Sequence, residues 1–221
     1  MLTGYQEARH EVRKTVIEVV TNLSIANKLA LQALESIDVN GLEEARKSLK
    51  MISATTEKID NDIVLIFAKY TPEARDLREM VSYLKVTSEL NRIRTNINNY
   101  IKNMQSVIVS SNPEVNKVIR ESLNINRCTL TAFDATLEML QTFDDKDKIQ
   151  SLTTKIEVEY SKTDDIYTLL EKELIQKMGN SHTVAEEYFN LLKYIRKNLK
   201  VIDRLESISS RIIFARLGGK L

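Results

Sequence analysis

Apolar residues recur every three or four positions along most of the chain, and short polar clusters separate these periodic stretches. This spacing places apolar side chains on one face of an α-helix, because a helix has 3.6 residues per turn. The stretch from 74 to 104 shows the pattern, and Thr71-Pro72-Glu73 before it is typical of a helix start. Its predicted buried positions are Leu77, Val81, Leu84, Ile93, Ile97, Tyr100 and Met104.

Clusters of turn-forming residues divide the chain into six predicted helices, three on each side of a break near mid-chain. The central break is Ser110-Ser111-Asn112-Pro113. Helices are predicted before it over about 4–37, 42–69 and 74–109, the first pair being separated by Asp38-Val39-Asn40-Gly41. After it, one helix reaches the polar turn at 143–147, and two more cover about 149–178 and 185–217, with a turn at 179–183 between them.

Each predicted helix has roughly 27–36 residues and is therefore about 40–55 Å long. Helices of this length joined by short loops must fold back antiparallel to their neighbours. The similar order of elements in the two halves indicates an internal repeat. We therefore predict an all-α fold of two tandem antiparallel three-helix bundles, over residues 1–110 and 113–221.

The composition agrees with long helices and excludes several function classes. The chain has 43% hydrophobic and 29% charged residues but only five glycines and two prolines. A formal net charge of +1 supplies no field that would attract nucleic acid. The single cysteine excludes an intramolecular disulfide. No signal-peptide pattern opens the sequence, and no apolar run approaches the ~18 residues of a membrane span. We expect a soluble cytoplasmic protein.

Several segments resemble the PhoU family, the phosphate-uptake regulators of bacteria. The most specific of them is T-P-E-A-R-D-L-R at 71–78, which is similar to the family's Q-P-x-A-x-D-L-R. The others support it mainly through their placement: E-K-I-D at 57–60, L-K at 84–85, L-N-R-I at 90–93, D-D-I-Y at 164–167, R-K-N-L-K-V-I-D-R-L-E-S-I at 196–208, and I-I-F at 212–214 with Gly218. The resemblance covers essentially the whole chain and implies the same two three-helix bundles.

The resemblance also implies a role. Family members are cytoplasmic regulators that couple the ATPase of a phosphate transporter to a sensor histidine kinase, and they are typically dimeric. They act by contact rather than by chemistry on a substrate. The sequence agrees, since it contains no nucleophile with a histidine base and no phosphate-cradling glycine loop. We therefore predict a homodimeric regulator that is not an enzyme. Its predicted partners are the ATPase of a phosphate transporter and a sensor histidine kinase.

Family members bind metal clusters through carboxylates spaced E-x-x-x-D, because residues four apart share a helix face and can reach one hard cation. In the first half of this chain the two positions hold Asn91 and Thr95. In the second half they hold Leu199 and Asp203, and an arginine, Arg204, replaces the histidine beside the aspartate.

Leucine and threonine supply no anionic ligand, and a neighbouring arginine opposes a cation. We predict that no cofactor is bound and that Asp203 instead faces solvent and pairs with arginine or lysine. The alternative is a family-type cluster of iron, manganese, zinc or magnesium on Asp203, with Asp164 of the preceding helix facing it.

Arg75, Asp76 and Arg78 open the third predicted helix and have two interpretations. In the structural interpretation they complement the helix dipole and form a salt bridge to the second bundle. In the functional interpretation this end of the bundle contacts a protein partner.

Three alternatives to the phosphate regulator stay open at this point. A PhoU-like paralogue could serve another transporter or sensor, and a helical-bundle adaptor could have no connection with phosphate. A metal-storing or redox bundle is the third; its only sequence support is one Glu-x-x-His at Glu7–His10, where a di-iron site requires two copies.

Overall fold

The computed structural model describes residues 2–142, 145–180 and 185–219, and this part of the chain contains helices and no strands. The seven helices are α1 (Leu2–Ser36), α2 (Val39–Lys47), α3 (Ile52–Tyr70), α4 (Ala74–Val107), α5 (Pro113–Gln141), α6 (Lys146–Asn180) and α7 (Ala185–Leu217). The prediction of an all-α fold is confirmed. Parts of two predicted turns, 143–144 and 181–184, lie outside the described residues.

The helices form two three-helix bundles when α2 and α3 are taken together as one arm. In the first bundle α1 packs against α2, α3 and α4, and α4 packs against α2 and α3. In the second bundle α5, α6 and α7 all contact one another. The division into structural repeats at 1–110 and 113–221 stays a prediction.

The prediction of one continuous helix over 42–69 is wrong, because the arm is interrupted between α2 and α3. The amides of Leu49 and Lys50 bond to carbonyls three residues earlier, at 3.2 Å, so the chain tightens into a 3₁₀-type turn. Leu49 and Ile52 are both buried on its two sides. The carbonyl of Leu49 accepts a hydrogen bond of 3.3 Å from the Arg94 guanidinium of α4, which caps the interruption from the neighbouring helix.

The turn between α1 and α2 also differs in detail from its prediction. Ile37 adopts the left-handed conformation with φ 57°, which is uncommon for a β-branched residue. Asp38 caps α2, since its side chain accepts the amide of Asn40 at 3.0 Å. Gly41, predicted as part of the terminator, lies inside the first turn of α2. Turn chemistry is thus present at this site, but it starts the second helix as well as ending the first.

The two bundles share one continuous hydrophobic core. Helix α4 packs along α7 in the most extensive contact of the molecule, and α1 packs against α5. Four central helices therefore carry the interface, with α2 and α3 on the outside of one bundle and α6 on the outside of the other.

Because α4 has neighbours on several sides, the predicted apolar stripe is only partly right. Ile93, Ile97, Tyr100 and Met104 are buried, as expected. Leu77 is 41% exposed, and its assignment to the core is wrong. Near the start of α4 the buried face instead carries Glu79, Met80, Tyr83, Val86 and Leu90.

Three buried asparagines meet at the centre of the four-helix interface, one each from α1, α5 and α7. Asn126 of α5 donates to Asn27 of α1 at 2.9 Å. The side-chain oxygen of Asn126 accepts a hydrogen bond from the side-chain amide of Asn198 on α7 at 2.8 Å. It accepts a second one from the hydroxyl of Tyr100 on α4 at 3.1 Å. One amide therefore links all four central helices. Its partners must stay in register, because a buried polar group without a partner is costly.

We expect Asn126→Ala to destabilise the protein by about 3 kcal/mol, because it leaves the polar groups of Asn27, Tyr100 and Asn198 without their shared partner. Tyr100→Phe, which removes one hydroxyl and creates little cavity, should cost about 1 kcal/mol. Urea unfolding followed by circular dichroism measures both. Equal stabilities of the Asn126→Ala variant and the parent chain would contradict the role assigned to this cluster.

Candidate functional site

The motif at the start of α4 lies where the ends of three helices meet. Glu79 is completely buried there, between arginines from the first and last helices. Its oxygen Oε2 accepts hydrogen bonds from two guanidinium nitrogens of Arg9 on α1. Nη2 of Arg9 lies at 2.5 Å and Nε at 2.6 Å. Its oxygen Oε1 accepts one hydrogen bond from the Arg216 guanidinium of α7 at 2.7 Å and one from the hydroxyl of Tyr83 at 3.0 Å. Sequence reasoning missed Glu79, although its spacing of four from Tyr83 could have placed it on the buried face.

Burial alone would raise the pKa of Glu79, but Arg216 and Arg9 outweigh it and hold the pKa of the carboxyl below its ordinary value. Burial opposes the charged form of Arg9 as well, yet Glu79 and Asp76 raise the pKa of this guanidinium. The pair is therefore fully ionised at neutral pH. Arg13, one helical turn further along α1, donates to the carbonyl of Leu140 at the end of α5 at 2.9 Å. All four central helices are thus tied together at this end.

The predicted partner residues have structural contacts at the same end. Asp76 lies 3.3 Å from the guanidinium of Arg9, so its ion pair is to α1 and not to the second bundle. Arg78 lies beside Gly218, whose φ of +81° ends α7; a methyl group added there would sit 3.8 Å from the guanidinium. Arg75 is half-buried on the same turn. The link to the second bundle comes from Glu79, one residue beyond the motif.

Asn91 and Thr95, at the first degenerate metal position, make only neutral hydrogen bonds. The amide of Asn91 donates to the hydroxyl of Thr56 on α3 at 2.7 Å. The hydroxyl of Thr95 donates to the carbonyl of Asn91 at 2.9 Å. Beside them, Glu89 accepts one hydrogen bond from Arg92 at 3.2 Å and one from Arg204 of α7 at 3.4 Å. Two guanidinium groups, those of Arg92 and Arg204, therefore lie beside this position.

At the second position, Leu199 packs against the core and Asp203 is half-buried. Burial raises the pKa of Asp203, with a smaller contribution from Asp164 in the same direction, while Arg204 and Lys200 oppose the shift. Asp164 itself is exposed on α6. Among the described residues, no three His, Cys, Asp or Glu side chains are grouped so that they could hold a metal ion. The donors at both positions do not fit a family-type cluster.

Two helical bundles, joined by the buried ion pairs of Glu79 with Arg9 and Arg216 (the ionic lock), define the class of fold as an all-α double bundle. Residues 16–104 match the family model described as the PhoU domain. Along most of its length the chain is similar to two relatives, each named as a phosphate-specific transport system accessory protein PhoU homolog. It is 23% identical to one from Xylella fastidiosa over 96% of this chain and 87% of that protein. It is 24% identical to one from Aquifex aeolicus over 75% of this chain and 71% of that protein.

The fold agrees with two solved structures of PhoU proteins. The structure of PhoU from Pseudomonas aeruginosa superposes with a TM-score of 0.79, at 20% identity, over 97% of this chain and all of that one. The structure of the phosphate transport system regulatory protein PhoU from Streptococcus pneumoniae superposes with a TM-score of 0.70, at 19% identity. The superposition covers 98% of this chain and 99% of that one. Residues 16–104 thus match the PhoU domain, and the chain as a whole has the fold of PhoU structures.

Replacing Glu79 by glutamine should cost about 3–5 kcal/mol at neutral pH, because it removes the buried carboxylate that compensates the charges of Arg9 and Arg216. The depressed pKa of Glu79 means that its ionic contribution is present above the ordinary pKa of about 4.3 and is lost as pH falls through the folded value. The difference in stability between parent and variant should therefore shrink below about pH 4. Urea unfolding between pH 3 and pH 7 measures it.

The matched control for this experiment is Glu57→Gln, which removes the same charge from an exposed position on α3. We expect this control to change stability by less than about 0.5 kcal/mol at every pH. A Glu79→Gln variant as stable as the control at pH 7 would contradict the ionic lock.

Proposed function

We propose that this chain is a cytoplasmic regulator of phosphate uptake and of phosphate-starvation signalling. It works by contact with the ATPase of a phosphate transporter and with a sensor histidine kinase, as a homodimer and without catalysing a reaction. The observation that carries the proposal is similarity over 96% of the chain to a phosphate transport accessory protein. No helix in the described ranges is both long and apolar enough to cross a bilayer.

The end of the molecule that carries the ionic lock is the proposed contact surface. Asp76 and Glu79 are engaged within the fold, so their contribution to binding is to hold the surface in shape. Arg75 and Arg78 remain partly exposed beside them and provide positive charge for an acidic partner.

A second candidate is a PhoU-like paralogue or adaptor that serves another transporter or sensor. The observation that favours it is the replacement of the family's carboxylates by Asn91, Thr95 and Leu199, together with the arginine at 204.

Deletion of the gene in the source organism should give high alkaline phosphatase activity in abundant phosphate, because the starvation response is no longer repressed. Supplying the gene on a plasmid should restore low activity. Low activity in the deletion strain would refute the phosphate-repressor role and favour the paralogue or adaptor.

The same strain tests the contact surface. Complementation with Arg75→Ala/Arg78→Ala should restore repression poorly, with at least a fivefold higher phosphatase activity than the parent gene. The matched control is Lys85→Ala/Lys102→Ala, which removes two exposed positive charges from the same helix. Equal repression by both double variants, at equal protein levels, would exclude Arg75 and Arg78 as partner-binding residues.

We also propose that the protein regulates without a multi-metal cluster. Elemental analysis of protein purified without chelator should give less than about one transition-metal ion per ten chains, because the required carboxylates are missing from three of four positions. Stoichiometric iron, manganese or zinc would contradict this proposal and favour the family-type cluster, for which Asp203 and Asp164 are the candidate ligands.

A further inference from the structure

A cleft of about 510 Å³ opens on the surface between α3 and α4 on one side and α7 on the other. It surrounds the first degenerate metal position. Its lining residues are Asp60, Ser88, Asn91, Arg92, Thr95, Asn96, Lys200 and Arg204. A cleft of this volume is in the range that small-molecule ligands occupy.

The lining of the cleft contains three positively charged side chains and one carboxylate. Arg92 comes from α4, and Lys200 and Arg204 come from α7 on the opposite wall. The carboxylate, Asp60 of α3, already accepts the hydroxyl of Thr87 at 2.6 Å. The lining therefore has an excess of positive charge, which disfavours a cation and favours an anion.

Glu89, just behind the lining, holds the two arginines in place. It accepts one N–H from Arg92 and one from Arg204, and its own side chain is only 12% exposed. A guanidinium has five N–H donors, so each arginine keeps donors that Glu89 does not use. The Nε of Arg204 is buried and has no hydrogen-bond partner among the described residues. Glu89 thus reduces the positive charge of the cleft, but it also holds the N–H donors of Arg92 and Arg204 in fixed positions.

Neutral groups complete the cleft without adding negative charge. Asn96 and Ser88 lie on the same wall as Arg92, and both can donate hydrogen bonds. At Asn91 and Thr95, where carboxylates would repel an anion, the chain has an amide and a hydroxyl that bond within the fold. Every lining position except Asp60 is therefore compatible with a bound oxyanion.

We propose that this cleft binds the phosphoryl group of a small soluble molecule, either inorganic phosphate or the phosphates of a nucleotide. A phosphoryl group carries enough charge to engage cations on both walls, and arginine matches its geometry. The net charge of +1 gives no extended basic field, so a membrane surface or nucleic acid is a poorer fit than a compact anion. The inference rests on the cleft alone and does not depend on the proposed function.

Isothermal titration calorimetry of the full chain in low-salt buffer tests the proposal, with inorganic phosphate, ATP and adenosine as separate ligands. Lys200→Gln is the informative variant, because Lys200 lines the cleft but forms no ion pair in the described structure, so its loss leaves Glu89 paired. We expect it to weaken binding of phosphate or ATP about tenfold. The matched control is Lys102→Gln, an exposed position on α4 about 15 Å from Arg92 along the helix.

Binding of phosphate identifies the free anion as ligand, and binding of ATP without phosphate identifies a nucleotide; either supports the proposal if Lys102→Gln binds like the parent chain. Three results would overturn it: no binding of phosphate or ATP by the parent chain, equal affinity of the Lys200→Gln variant and the parent, or equal affinity for adenosine and ATP. Unfolding curves of both variants establish that they are folded. A normal deletion phenotype in the phosphatase assay would leave this outcome unaffected.

Discussion

The fully buried carboxylate of Glu79 is the constraint on which the arrangement of the helices depends. It is ionised because Arg9 and Arg216 surround it, and these arginines come from the first and last helices of the chain. Moving either arginine away would remove one of the two cations that compensate this carboxylate in a medium of low dielectric constant. A hydrophobic interface could slide by a helical turn at modest cost, but this ion pair permits one register of α1, α4 and α7.

A second polar contact fixes the same helices nearer their middle. Asn126 joins α5 to the other three central helices through short hydrogen bonds, and all its partners are buried. Between them, the ionic lock and the asparagine cluster make the pair of bundles one unit rather than two independent ones. A rigid unit of this kind suits a protein that acts by presenting a surface, since binding then costs little conformational entropy.

The cleft lies on the same seam between α4 and α7, so the change of side chains at the degenerate metal positions has a consistent physical meaning. Asn91 and Thr95 are neutral on one wall, while Arg204 and Lys200 supply positive charge on the other. The sequence alone showed that the carboxylates were missing and that an arginine stood beside Asp203. It did not show that Arg204 faces Arg92 across a cleft, because residues over a hundred positions apart meet only when the bundles pack.

The sequence by itself determined the helices, their approximate ends and the class of fold, because a 3.6-residue period and the turn residues act locally. It also carried the family resemblance through the segment at 71–78. Only the tertiary structure decided the interruption at 48–51, the exposure of Leu77 and the burial of Glu79. Each of these depends on neighbours from other helices: Arg94 caps Leu49, and α1 and α7 enclose one side of α4. A local pattern cannot contain that information, because the cost of burying a charge depends on which partner the fold places beside it.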